Sequence, residues 1–122
     1  MAEIPEQKKM ESIHSYQSTI RKMEKAFSEM QKKDADTKLI RRRLESVKIG
    51  LAVLEYAWFG KAHGYQIEEM TEARAVLFGL LPSLDSAYQK AKEGSPQRTL
   101  LTRRILSLKQ SIEIIDNVIT KS

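Results

Sequence analysis

Apolar residues recur every three or four positions along the chain, and this spacing constrains the fold more than any other feature of the sequence. Four such series run from Ile13 to Met30, from Ile40 to Trp58, from Ile67 to Ala91 and from Leu101 to Ile119. Side chains at these intervals lie on one face of an α-helix, whereas a half-buried strand would alternate apolar and polar residues by two. The pattern predicts an all-α protein.

Short turn-forming sequences separate the four series. Asp34–Thr37 offers side-chain oxygens that can cap a helix, Gly60–Gly64 can end one, and Gly94 is followed by Ser95 as an N-cap and Pro96 at the first helical position. We expect helices at about residues 6–32, 37–59, 66–92 and 96–120. Because the connections are short, we expect one domain, residues 1–122, folded as an up-down-up-down antiparallel four-helix bundle.

Three residues interrupt the helical segments. Pro82 has no N–H to donate to the carbonyl of Phe78, so we expect the third helix to be kinked or broken there. Gly50 and Gly79 lie in mid-helix, where each costs about 1 kcal/mol relative to alanine. We expect close contact with a neighbouring helix to explain both glycines.

The composition excludes several classes of protein. The chain has no cysteine, which excludes disulfides, thiolate metal sites and thiol catalysis. No apolar run approaches the roughly 20 residues of a membrane span, and the first residues lack the layout of a signal peptide. We therefore expect a cytoplasmic protein without membrane contact. The formal net charge of +5 admits nucleic acid as a partner without requiring it.

No catalytic, metal or cofactor motif is complete. A di-iron site in a bundle needs two Glu-x-x-His pairs, and only Glu11 and His14 supply one, because Gly60 precedes His63 by three residues. Arg74 lies on the third apolar series, where it either reaches a carboxylate such as that of Glu55 or holds an anionic ligand. We expect a non-enzymatic protein without metal or cofactor, and we leave the role of Arg74 open.

The second and fourth helices carry apolar residues outside their main series. At 100° per residue these side chains point away from the expected core: Ile49, Val53, Tyr56, Ile114 and Val118. They all lie in the C-terminal halves of these two helices, and therefore at the same end of the predicted bundle. They form a candidate interface, and a homodimer or another protein is the expected partner. The alternative is that the N-terminal tail, with Ile4 and Pro5, covers them.

Arginines gather at the end of the bundle formed by the first and third connections. The candidate contacts to an anion or nucleic acid are Arg41, Arg42, Arg43, Arg98, Arg103 and Arg104. This end could bind phosphates, which gives a nucleic-acid-binding or phage-type regulatory protein as the alternative function. Aromatic residues that would stack on bases are missing from it, so we expect a solvated charged surface instead.

Two short stretches resemble known proteins. Trp58-Phe59-Gly60, between two helices, resembles the W-x-G hairpin of small type VII secretion substrates, which implies an exported helical hairpin as a further alternative. That family has an acidic residue four positions after its signal tyrosine, whereas Tyr88 here is followed by Lys92. The stretches 14–22, 94–99 and 103–105 together resemble small uncharacterised helical proteins of Gram-positive bacteria, which implies a bacterial source but no function.

Overall fold

The computed structural model describes residues 3–121, and within them the secondary structure is entirely helical. The helices are α1 (Glu6–Lys32), α2 (Lys38–Phe59), α3 (Ile67–Lys90) and α4 (Pro96–Lys121). Each helix packs against the next one along the chain, and α1 also packs against α4, which closes the ring. The predicted all-α four-helix bundle is confirmed, and the helix ends fall within two residues of the expected positions.

The connections contain the expected stop and start residues. Gly60 ends α2 in the left-handed conformation at φ 69°, and its N–H donates to the carbonyl of Tyr56. Ser95 caps α4 because its Oγ accepts the N–H of Arg98 at 3.2 Å. At the start of α2 the carboxylate of Asp36, one residue before the N-cap, accepts the N–H of Lys38 at 3.0 Å. These contacts fix both ends of α2 and the start of α4.

The third helix runs through Pro82 as one continuous α-helix, so it does not break there. Pro82 is exposed, and Phe78, whose carbonyl loses its helical donor, is also more than half exposed. The Phe78 carbonyl therefore lies on the solvent side of α3. Water can satisfy it, and this explains why the helix tolerates the proline.

Helices α2 and α4 also contact each other across the diagonal of the bundle. Both therefore pack against three helices and need a wider apolar surface than a single stripe. Ile49 and Val53 are part of this wider core, with 3% and 1% of their surfaces exposed. The prediction that these two residues lie on a free interface is wrong, because neighbouring helices cover them: Ile49 lies beside Ala73 of α3, and Val53 lies beside Met70 of α3 and Ile114 of α4.

A hydrogen-bonded chain joins three helices at the centre of the bundle. The hydroxyl of Tyr16 on α1 donates to Oγ of Ser111 on α4 at 2.7 Å, and Ser111 donates to the carbonyl of Gly50 on α2 at 2.8 Å. A Cβ at Gly50 would lie only 2.5 Å from the Tyr16 hydroxyl oxygen, so close packing explains this glycine. A Cβ at Gly79 would meet nothing within 4 Å, and the same explanation is wrong for Gly79.

Candidate functional site

An open apolar cleft lies between the C-terminal half of α2, the start of α3 and the end of α4. It encloses about 280 Å³ and is lined by Val53, Tyr56, Ala62, His63, Met70, Ile114 and Val118. We call it the Tyr56 cleft. The floor is the buried core residues Val53 and Met70, and Tyr56 stands at its edge with 53% of its surface exposed. The fold thus leaves a concave apolar surface open to solvent.

The rim of the Tyr56 cleft is aromatic. The ring of His63 lies between those of Tyr56 and Tyr65, with centroids 5.4 Å and 5.7 Å away. Its Nδ1 accepts the backbone N–H of Tyr65, which ties the connection between α2 and α3 to the rim. Phe59, one turn beyond Tyr56, and Ile67, one turn before Met70, are also exposed apolar side chains, although they do not line the cleft. Aromatic residues with an exposed face are enriched in protein interfaces.

Charged residues close to the Tyr56 cleft are paired within the chain. Lys61 Nζ lies 3.8 Å from a carboxylate oxygen of Glu55. Arg74 Nε donates to Oδ1 of Asp116 at 2.7 Å, and its Nη2 donates to Oδ2 at 3.3 Å. This two-point hydrogen bond, together with the charge of Asp116, raises the pKa of Arg74. Of the two interpretations left open for Arg74, the structure shows the carboxylate contact, made with Asp116 rather than Glu55.

Of the five predicted interface residues, four line the Tyr56 cleft: Tyr56, Ile114 and Val118 at its wall and the buried Val53 at its floor, whereas Ile49 does not. Ile114 and Val118 are partly buried against the core, and only Tyr56 is widely exposed. Sequence reasoning missed Phe59 and Ile67. Each is the helix-terminal residue next to a glycine-containing connection, a position where no neighbouring turn covers an apolar side chain.

The six predicted anion-contacting arginines do not share one surface. Arg41 lies over the ring of Phe27 between α1 and α2, and Arg42 and Arg43 line a groove between α2 and α3. Arg98 stacks on the ring of Tyr88, 4.2 Å from its centroid. The remaining two, Arg103 and Arg104, lie between α4 and α1. Nucleic-acid binding through the basic end stays a prediction, with its arginines distributed around the bundle.

The Trp58-Phe59-Gly60 motif has a local structural explanation. Trp58 is partly buried against the core, and Gly60 is the left-handed residue that ends α2. Within residues 3–121 no three histidine or carboxylate side chains lie close enough together to hold a metal ion. No helix of that part of the chain has the length and apolar character needed to cross a membrane.

Comparison with protein-family models, with curated proteins and with solved structures gives no match for this chain. Its function is therefore argued from the geometry of its own residues.

Proposed function

We propose that this protein is a non-enzymatic helical bundle that acts by protein–protein contact, as a homodimer joined through the Tyr56 cleft and its rim. The observation that carries the proposal is the open apolar cleft with Tyr56 at its edge, 53% exposed. Such surfaces on a small protein mark sites of association. The cleft offers a place for an aromatic side chain of the partner, the arrangement found at the energetic centres of interfaces.

Electrostatics favour a second copy of the chain as the partner. Two molecules of formal charge +5 repel each other, and the repulsion is greatest where unpaired cations face one another. The arginine-rich end is unsuitable for self-association for this reason. Two pairs of opposite charges near the Tyr56 cleft neutralise each other, Glu55 with Lys61 and Arg74 with Asp116. A surface that is apolar and locally neutral can pack against its own copy without a charge penalty.

A two-fold axis is the simplest arrangement for this contact. In a two-fold dimer the same patch serves both partners, so one patch with a cavity and a projecting ring suffices. Tyr56 of each copy can then occupy the cleft of the other, between Met70 and Val118. Such a contact closes on itself, and further copies cannot add to it.

Charge introduced at the cleft tests this proposal. Tyr56→Glu places a carboxylate twice in the proposed interface, and we expect light scattering to show the monomer where the unmodified protein is a dimer. Leu39→Glu near the start of α2 is the matched control, since Leu39 is 60% exposed against 53% for Tyr56 and is not among the residues that line the cleft. It should leave the dimer intact. Loss of the dimer in both variants, or in neither, contradicts the proposed surface.

A further inference from the structure

A second groove, between the first half of α1 and the first half of α4, is strongly cationic. It encloses about 290 Å³ and is lined by Glu11, His14, Ser15, Ser18, Arg21, Lys22, Leu100, Arg103 and Arg104. We call it the Arg104 groove. Four of these side chains are lysine or arginine and one is a carboxylate, and that carboxylate, Glu11, already contacts both Lys8 and Arg103. The groove therefore has an excess of positive charge that the chain itself does not neutralise.

Arg104 is the unusual member of this set. Its side chain makes no hydrogen bond or ion pair within residues 3–121, and its Nε is fully buried without an acceptor. Burial lowers the pKa of its guanidinium. Arg74, Arg98 and Arg103 each have a carboxylate or carbonyl partner. Arg104 as a whole is half-buried, so its Nε has lost water without gaining a protein acceptor, and an anion bound in the groove would supply one.

An apolar pocket adjoins the groove at Arg104. This Leu84 pocket encloses about 120 Å³, and its lining includes Tyr16, Met23, Leu80, Leu84 and Leu108 as well as Arg104. A protein cavity of about 150 Å³ with apolar walls is large enough to bind benzene. The Leu84 pocket is somewhat smaller but is open on one side, so it can take most of one ring or a short alkyl group. Arg104 stands where this apolar space meets the cationic groove.

We propose that the Arg104 groove binds a small organic phosphate, with the phosphate held by Arg104, Arg21 and Lys22 and a compact apolar group inserted into the Leu84 pocket. A phosphate dianion matches several cations better than a carboxylate does, and its three oxygens suit the planar donors of arginine. Ser15 and Ser18 supply additional hydroxyl donors on the same wall. This site lies on the α1–α4 face, away from the Tyr56 cleft, and is independent of the proposed dimer.

The size of the two spaces argues for a small molecule rather than a polymer. The phosphate backbone of a nucleic acid is read by a row of cations along an extended surface. Here four cations line one groove, and Arg104 also lines the apolar pocket beside it, an arrangement typical of a small-ligand site. Binding of duplex DNA at the groove would therefore contradict the proposal.

Phenyl phosphate, inorganic phosphate and a short DNA duplex serve as probes, added to the full-length protein and measured by isothermal titration calorimetry with chemical-shift mapping. We expect phenyl phosphate to shift residues of the groove and the pocket and to bind at least about tenfold more tightly than inorganic phosphate, because only the ester fills the pocket. Equal affinity for the two phosphates overturns the role of the pocket. No binding of phenyl phosphate, or binding of DNA alone, overturns the proposal.

Single-residue variants distinguish binding at a defined site from non-specific attraction to the positive charge of the protein. Arg104→Gln should weaken phenyl phosphate binding at least about tenfold, since a charge-assisted hydrogen bond is lost. Arg43→Gln is the control, because Arg43 is also half-buried, has no carboxylate partner within the described part of the chain and lies between α2 and α3. Arg21→Gln on the exposed wall should weaken binding without touching the core, which keeps the test valid if Arg104→Gln does not fold. Equal losses in Arg21→Gln and Arg43→Gln contradict a defined site.

Discussion

Replacement of Gly50 by alanine tests whether the centre of the bundle is as closely packed as the structure shows. A Cβ on Gly50 would lie 2.5 Å from the hydroxyl oxygen of Tyr16 and 2.8 Å from two of its ring carbons. These separations are far below van der Waals contact, so Tyr16 must move. Its movement would break the hydrogen bond to Ser111, at present 2.7 Å long. We therefore expect this one methyl group to lower the free energy of unfolding, whereas helix propensity alone predicts that alanine raises it.

The magnitude follows from three opposing contributions. Alanine in place of glycine stabilises a helix interior by about 1 kcal/mol. Overpacking a filled core costs about 1–3 kcal/mol, and a buried hydroxyl left without its partner costs about 1–3 kcal/mol. We therefore expect Gly50→Ala to lower the free energy of unfolding by about 1–5 kcal/mol. For a chain of this size each kcal/mol corresponds to roughly 3–6 °C in Tm.

Gly79→Ala is the matched control, because Gly79 also lies within a helix but a Cβ added there would have no neighbouring atom within 4 Å. It should stabilise the protein by up to about 1 kcal/mol through helix propensity alone. Urea unfolding followed by circular dichroism measures both variants. If Gly50→Ala is as stable as Gly79→Ala, the packing of Tyr16 against α2 is not as described.

Two further predictions concern single hydrogen-bonded groups. Ser95→Ala removes the oxygen that accepts the N–H of Arg98, and we expect it to lower the free energy of unfolding by about 1 kcal/mol, measurable by urea unfolding. Burial raises the pKa of the Tyr16 hydroxyl above its ordinary value of 10.0. Above pH 10 the unfolded chain therefore releases this proton while the folded chain retains it, and stability should fall by up to about 1.4 kcal/mol per pH unit. Tyr16→Phe should remove that part of the alkaline loss in Tm, and an unchanged pH profile would contradict the burial of the hydroxyl.

The sequence predicted the helices and their order because these depend on local information. Each helix and each helix end is specified by residues close together in the chain. Examples are the apolar spacing within a helix, Ser95 before Pro96 at a helix start, and Gly60 at a helix end. Those signals are strong in this chain, and the bundle follows from them. The continuous α3 also follows a local rule, since a proline whose unpaired carbonyl faces water can remain within a helix.

The diagonal contact between α2 and α4 could not be read from one helix at a time. It brings Gly50 of α2 against Ser111 of α4, and it depends on both residues being small enough for their helices to approach. Helical periodicity places a residue on a face but does not say how many neighbours cover that face. The sequence feature that indicates this contact is a pair of small residues four positions apart on each helix. The pairs are Ser46 and Gly50 on α2, and Ser107 and Ser111 on α4.

The candidate sites were only partly predictable for the same reason. Tyr56, Ile114 and Val118 were identified from their angular positions, whereas the Arg104 groove depends on the pairing of α1 with α4. In sequence Arg104 is one of several arginines near a helix start. Its distinguishing property, burial without an acceptor among the described residues, exists only after the helices pack.

Sedimentation velocity of the unmodified protein, across a dilution series from roughly 1 to 100 μM, tests the proposed contact most directly, because an interface of micromolar Kd dissociates within this range. The homodimer predicts a species of twice the 14.0 kDa chain mass that converts to the single chain on dilution. A species of 14.0 kDa at every concentration would contradict it.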